Sequence, residues 1–375
     1  MNKNLLLGLS GILALGCANA AHADVYQDFK DDLGKKGIIY DGAATILGQR
    51  GAPSGKITPW QVQFYGEANW DMFKSDYGNG SLQVSYDKVR YWGRTADELD
   101  GNLGVASDIN DYSDNARYFT QLSYTHQFVG KMDWLALTFG QFPMYLFDGN
   151  PYSSNQQTDF NNLALAQNAS YSYPSASFGA FASLTPIKDW TAVVGFQDAN
   201  NVDGDKIKMN TANDGDYTSF ASLAYSPTIE GLGKSKYAIL FYHQPSVDRQ
   251  PKESYGWSVN ISQDLGEKWA VFSRINGTTH SASLKQSYAL GGVYKDPLNR
   301  NDLDRIGFAV AVNKPNREAY GHDVRNMETV FETYWDFGVG KYLLLTPDFQ
   351  MYLKPALNRD TDIATVYSLR ATLLF

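Results

Sequence analysis

The chain has 375 residues, 43% of them hydrophobic and 19% charged, with 32 Lys and Arg against 40 Asp and Glu. A formal net charge of −8 and the lack of any Lys/Arg run exclude a nucleic-acid binder, which needs a positive face for phosphate. A mean hydropathy of −0.37 is too polar for a helical membrane protein, and a single cysteine excludes a disulfide scaffold.

Residues 1–23 read as an export leader. Lys3 supplies the positive start, Leu5 to Cys17 an apolar stretch, and Ala21-His22-Ala23 a small-x-small cleavage site before Asp24. That stretch is too short to cross a bilayer as a helix, which takes about 20 residues. Cys17 leaves with the leader, so the mature chain has neither disulfides nor thiol chemistry. The expected setting is the outer membrane of a Gram-negative bacterium. Residues 24–36, with Asp28, Lys30, Asp31 and Asp32, predict a short N-terminal helical segment at the periplasmic side or plugging the barrel, ahead of a barrel domain over 37–375.

From there the hydrophobic period is two. Trp60, Val62, Phe64, Gly66, Ala68, Trp70 and Met72 share one face, and Gln61, Gln63, Tyr65, Glu67, Asn69 and Asp71 the other. The pattern predicts strands over 37–49, 59–74, 80–91, 117–129, 133–145, 170–184, 189–198, 216–227, 236–246, 254–265, 268–279, 284–295, 303–314, 326–339, 342–354 and 363–375. Ten to fifteen residues is long for a soluble sheet and suits a tilted transmembrane strand, which needs about 9–11. The fold class expected is therefore all-β, a transmembrane antiparallel β-barrel of about 16 strands. The connections alternate between short turns, as at Gly266-Glu267 and Gly340-Lys341, and long loops, as at 92–116 and 146–169. Tyr367-x-Leu369-x-Ala371-x-Leu373-x-Phe375 ends on an aromatic, the signal through which barrel-assembly machinery is expected to engage the last strand. Outer-membrane lipid and lipopolysaccharide are the surroundings this predicts.

Sixteen strands enclose a water-filled channel. Arg274 and Arg370 lie on polar faces and, being costly against lipid, are expected to project into that water. Glu328, Glu332 and Asp336 line one polar face of the fourteenth strand. Opposed basic and acidic walls would create a transverse field that selects polar solutes, or would pair to brace the wall. Loop 146–169 is rich in amides and hydroxyls, with Phe147, Tyr152 and Phe160 interspersed. Folded inward, it would narrow the lumen with groups suited to the CH and OH surfaces of a sugar. The tryptophans read as interfacial girdle residues. No histidine pair or metal-ligand spacing stands out, so no catalytic residue, metal or cofactor is expected.

The C-terminal third carries Glu328-Thr329-Val330-Phe331-Glu332-x-Tyr334, then Leu345-Thr346-Pro347-Asp348-Phe349-Gln350-Met351-Tyr352 with Pro355, Leu369-Arg370 and terminal Phe375. Earlier come Gly140-Gln141-Phe142, Asn161-Asn162 and Tyr173-Pro174-x-Ala176. These stretches resemble the carbohydrate-selective porin family of the OprB type. The resemblance implies passive diffusion of sugars through a constriction lined partly by Arg, with Arg370, Asp348, Gln350 and Tyr352 as lumen residues. It covers most of the mature chain and is patchy between 200 and 300.

The leading expectation is thus a diffusion porin for small hydrophilic solutes, glucose-like sugars first, using Arg274, Arg370, Glu332, Asp348, Gln350, Tyr352, Phe147 and Tyr152. A general or organic-acid-selective porin is the nearest alternative. An outer-membrane hydrolase and a secreted glycan-binding β protein are rivals of another class. Monomer and homotrimer both stay open.

Overall fold

The computed structural model describes residues 23–53, 57–201, 204, 206–280, 283–321 and 323–375. The export leader, apart from Ala23, lies outside the described residues.

Helix α1 (Ala23–Lys35) precedes sixteen wall strands: β1 (Ile38–Ala52), β2 (Trp60–Ser75), β3 (Gly78–Tyr91), β4 (Ala116–Gln127), β5 (Leu135–Phe142), β6 (Ser177–Leu184), β7 (Trp190–Asp198), β8 (Tyr217–Tyr225), β9 (Gly233–Gln244), β10 (Ser254–Leu265), β11 (Trp269–Thr278), β12 (Leu284–Lys295), β13 (Arg305–Pro315), β14 (Glu328–Val339), β15 (Leu343–Leu353) and β16 (Ile363–Leu374). Each pairs antiparallel with the next, and β16 returns to β1 from Ala43↔Leu374 to Ala52↔Thr365. The sheet therefore closes and no wall edge is left unpaired. Thr228–Ile229 adds a two-residue bridge onto the start of β9.

All sixteen predicted strands are present. β5 and β6 are shorter than the periodicity predicts. Pro143 stops the first, because it has no N–H for the ladder, and residues 170–176 run as buried loop before β6.

Two solvents explain the alternation. On β14, Glu328, Val330, Glu332, Tyr334 and Asp336 are buried inward, while Phe331, Trp335 and Phe337 are exposed on the outer wall. Trp70, Trp92, Trp134, Trp190, Trp269 and Trp335 also stand exposed on the outside, as girdle residues should. Short links such as 76–77, 266–268 and 340–342 gather at the end holding both termini, which makes it the periplasmic end. Long links 92–115 and 143–176 belong to the extracellular end. Near the periplasmic rim, α1 rests Tyr26 edge-to-face on Tyr40 and Tyr342.

The closure seam uses the last residue directly. Phe375 N–H donates to Gly42 O at 3.0 Å and its carbonyl accepts Gly42 N–H at 2.9 Å. Its ring stacks on Phe64, 5.9 Å between centroids, and covers Gly42 so closely that a Cβ there would sit 2.3 Å from the ring. Phe375→Ala should therefore lower the heat resistance of a barrel refolded in detergent without any assembly factor. Unchanged heat resistance would leave Phe375 a purely cellular signal. A second close approach occurs at Gly140, where φ is +128° and a Cβ would lie 2.3 Å from Leu122 O. Only glycine keeps β4 and β5 at that separation.

The lumen departs from the expected water-filled channel. A core of Leu99, Leu103, Val105, Ile109, Phe160, Leu163 and Leu165 from two long links packs on Phe272, Val330, Tyr334, Tyr352 and Val366 of the wall. Links 92–115 and 143–176 both fold inward and carry apolar side chains with them. The links thus cover the β11–β16 side, and the cavities lie against β2, β3 and the start of β4.

Candidate functional site

Charged wall residues hold the inward links through two or more contacts each. Glu332 accepts the N–H groups of Asn161 (2.5 Å) and Asn162 (3.0 Å). Glu328 accepts the backbone N–H of Ala106 (3.0 Å), Ser107 (3.0 Å) and Ala356 (2.8 Å), and the Ser107 hydroxyl (2.6 Å). Arg370 donates through Nη1 to the carbonyls of Gln156 (2.5 Å) and Asp159 (2.9 Å) and to Asn161 Oδ1 (3.2 Å), and through Nη2 to Asp336 (3.4 Å). Arg274 donates to Asn260 Oδ1 (3.0 Å), Ser154 Oγ (2.9 Å) and the Leu165 and Asp148 carbonyls (3.4 Å each). Arg305 bridges Asp159 at 3.0 Å and Asp336 at 3.1 Å.

Arg274 and Arg370 project inward as expected, yet not into water: they are 1% and 0% exposed. The loop carbonyls occupy the place water was expected to fill. Gln350 and Tyr352 are tied the same way, Gln350 donating to Ile109 O (2.9 Å) and the Tyr352 hydroxyl to Gln350 Oε1 (2.8 Å) while accepting from Asn162 (2.7 Å). Asp348 is buried beside Glu332. Phe147 stacks on Phe220 at 5.0 Å inside an aromatic cluster with Phe142 and Phe181. Tyr152 donates to Asp264 and lies under Lys295 Nζ, 5.0 Å from its ring centre. Of the eight sequence-predicted residues, six thus back the inward links from the wall and two, Phe147 and Tyr152, belong to the second link; they do not converge on one open space.

The open space lies opposite. A cavity of about 260 Å³ is lined by Gln63, Tyr65 and Glu67 of β2, Asp87 of β3, Asp111 and Tyr112 of the first inward link, and Tyr145, Asp148, residues 154–157, Gln167, Asn168 and Tyr173 of the second. Four carboxylates, four phenols and a row of amides face it, with no Lys or Arg among the lining residues. A wider cavity of about 600 Å³ toward the extracellular end, bordered by Asp108, Asn115, Tyr118 and Tyr171, shares Tyr173 with it.

The acids differ in their environments. Asp87 accepts from Gln63 (3.1 Å) and the Tyr112 hydroxyl (2.5 Å). Asp148 is enclosed by Asn260 (2.5 Å) and Asn168 (2.9 Å), and burial pushes it above the usual carboxylate range against the pull of Arg274. Burial, with Asp87 and Asp108 nearby, pushes Asp111 up to about 7 despite the Gln167 hydrogen bond. Burial and the neighbouring Glu328 and Asp97 raise Asp108 to about 7 as well. Glu67 stays exposed to the lumen water and accepts from Tyr65 at 2.5 Å.

The carbohydrate-selective porin family of the OprB type matches residues 90–375. The chain belongs to that family. Among its relatives, Porin AaxA of Chlamydia caviae is 38% identical over 319 residues, covering 84% of this chain and 70% of the relative. Porin AaxA of Chlamydia pneumoniae is 35% identical over 322 residues, 85% and 73% of the two chains. The high-pH structure of Pseudomonas putida OprB superposes with a TM-score of 0.75 over 93% of this chain and 97% of that one, at 17% identity. The OprB-family fold and an outer-membrane channel without enzymatic chemistry are thereby established. Arg274 and Arg370 stand buried behind the inward links, and carboxylates and amides face the cavity.

Sequence reading named Glu67 and the amides of the second link but missed Asp87, Asp111, Tyr112 and the whole first link. Its helix α2 (Ala96–Leu103) had a readable start: Thr95 accepts from Glu98 N–H at 3.3 Å, the Ser/Thr-x-x-Glu capping pattern. Leu99, Leu103, Val105 and Ile109 then follow in a link too apolar for an exposed loop.

Proposed function

We propose that this porin passes small neutral hydrophilic solutes, glucose-like sugars first, and excludes anions. The observation that carries the reading is the composition of the 260 Å³ cavity. Its size lies below the roughly 300–1,000 Å³ of drug-sized pockets, which suits one sugar-sized solute. Phenol faces and amides can replace part of a polyol's hydration shell, and carboxylates with no Lys or Arg among the lining residues repel organic acids. That last feature disfavours the acid-selective alternative. In this reading Arg274, Arg370, Glu332, Asp348, Gln350 and Tyr352 fix the shape of the passage by holding the inward links, with Phe147 and Tyr152 packing behind it. Export by removal of residues 1–23, placement of α1 at the periplasmic mouth and recognition of Phe375 during assembly complete the proposal.

Planar-bilayer conductance of the mature protein, titrated with glucose, maltose and a small organic acid, tests it. Saturable block by glucose, weaker block by maltose and none by the acid is the expected order. Steady conductance at all sugar concentrations would leave a general porin, and block by the acid alone would reverse the reading.

A further inference from the structure

The outer wall carries an unpaired basic cluster at its extracellular end. On β3, Asp87, Val89 and Tyr91 are buried inward, which leaves Lys88 and Arg90 on the lipid-facing side, both exposed. On β4, Arg117 stands between Ala116, packed on the inner core, and Tyr118, whose ring meets Tyr112 inside. The register puts Lys88 directly opposite Arg117, and Arg90 two residues further along the same face. Across β2 they face Phe64 and Val62. None of the three has an ion pair among the described residues. Arg117 sits where the wall meets the extracellular vestibule.

Like charges directly opposite on neighbouring strands destabilise the pair, and the outward neighbours Val62, Phe64, Tyr86 and Phe119 offer no compensating acid. A cation on the lipid face is costly at the midplane and nearly free at the interface. Lys88 and Arg90 lie within four residues of the extracellular end of β3, and Arg117 is the second residue of β4. The cluster is therefore tolerated where it stands, and an anion bound across it would relieve the repulsion.

We propose that Lys88, Arg90 and Arg117 bind the phosphate groups of an outer-leaflet glycolipid, the lipid A portion of lipopolysaccharide. Its acyl chains would lie along the apolar strip of Phe64, Tyr86 and Phe119 beside and below them. The phosphate source is the membrane lipid, because Lys88 and Arg90 line neither cavity and stand among lipid-facing side chains, with Arg117 at the rim beside the vestibule. The proposal rests on the outer-membrane placement and is independent of which solute is carried.

The test uses the mature full-length protein in detergent, probed with bis-phosphorylated lipid A, with dephosphorylated lipid A and with inorganic phosphate. Native mass spectrometry reads retained lipid, and the unfolding temperature reads stabilisation. Wild type should retain and be stabilised by lipid A only in its phosphorylated form. Each basic residue near an anionic lipid surface contributes about fivefold, so Lys88→Ala/Arg90→Ala/Arg117→Ala should bind roughly a hundredfold more weakly. In lipid-free detergent that triple variant should be at least as stable as wild type, since it removes the like-charge pair. Should the triple variant fail to fold, Lys88→Gln and its charge-preserving partner Lys88→Arg give the same comparison: the first weakens retention and the second keeps it. Equal retention by variant and wild type, equal stabilisation by dephosphorylated lipid A, or stabilisation by inorganic phosphate alone would each overturn the assignment.

Discussion

Replacing Arg370 with alanine should raise single-channel conductance severalfold and make it noisier, while the barrel still inserts. One guanidinium holds two backbone carbonyls and one amide oxygen of residues 156–161, all in a water-free interior. Removing it orphans three acceptors, and each buried acceptor left unpaired costs about 1–3 kcal/mol. Asp336 is less exposed to loss, because Arg305 and the Thr346 hydroxyl (2.6 Å) still serve it. The wall is insulated from the change, since β16 keeps its full ladders to β1 and β15. The free energy lost therefore falls on the inward link, which should come loose from the β14–β16 wall and admit water behind it, adding to the open cross-section. Arg370→Lys should behave like the alanine variant, because a single ammonium cannot span three acceptors set for a fork. Glu332→Gln offers a second check, weakening the clamp on the Asn161 and Asn162 N–H groups from the same wall. Conductance unchanged in both variants would mean that the apolar core alone retains the link.

The same contrast between wall and link explains what could be read from the sequence. Strand positions such as 60–72 or 363–375 are written in period two because each strand is squeezed between lipid and lumen, two solvents that demand opposite side chains. Every wall strand obeys that demand independently of its partners, so local sequence suffices. Arg370 and Arg274 illustrate the limit. Exclusion from lipid follows from their charge, but whether the inward side offers water or a carbonyl depends on a link more than 100 residues away. The fold of that link depends in turn on contacts such as Gln157 Nε2 to Ala43 O at 3.2 Å, which no periodicity records. Asp111 and Tyr112 became cavity residues for the same non-local reason. Only α2, with its capping pattern and apolar follow-on, announced that an apparent external loop would need somewhere to bury itself.

Removing the cavity carboxylates should turn a cation-preferring channel into a nearly unselective one. The lining holds Glu67, Asp87, Asp111 and Asp148 and no Lys or Arg, with Arg274 buried behind Asp148. The cavity is narrower than the Debye length of about 10 Å at 0.1 M salt, so these charges act on a passing ion almost unscreened. A unit charge about 5 Å away in a water-like medium is worth roughly 0.8 kcal/mol, about fourfold in the occupancy of a cation and the inverse for an anion. Glu67→Gln should therefore move the reversal potential in a salt gradient clearly toward zero, and Glu67→Gln with Asp87→Asn further still. Acidity enters through the two raised carboxyls of the first link. Asp111 and Asp108, both pushed up to about 7 by burial, hold their protons below that pH and are charged above it. Cation preference should accordingly grow as pH rises from 6 to 8, and Asp108→Asn/Asp111→Asn should flatten that rise while keeping the part due to Glu67. A wild-type reversal potential that does not move with pH would show these two carboxyls to be remote from the ion path. A slope surviving in the double variant would assign the titration to a different group. Anion preference at any pH would reject the acidic cavity as the place where solutes are chosen.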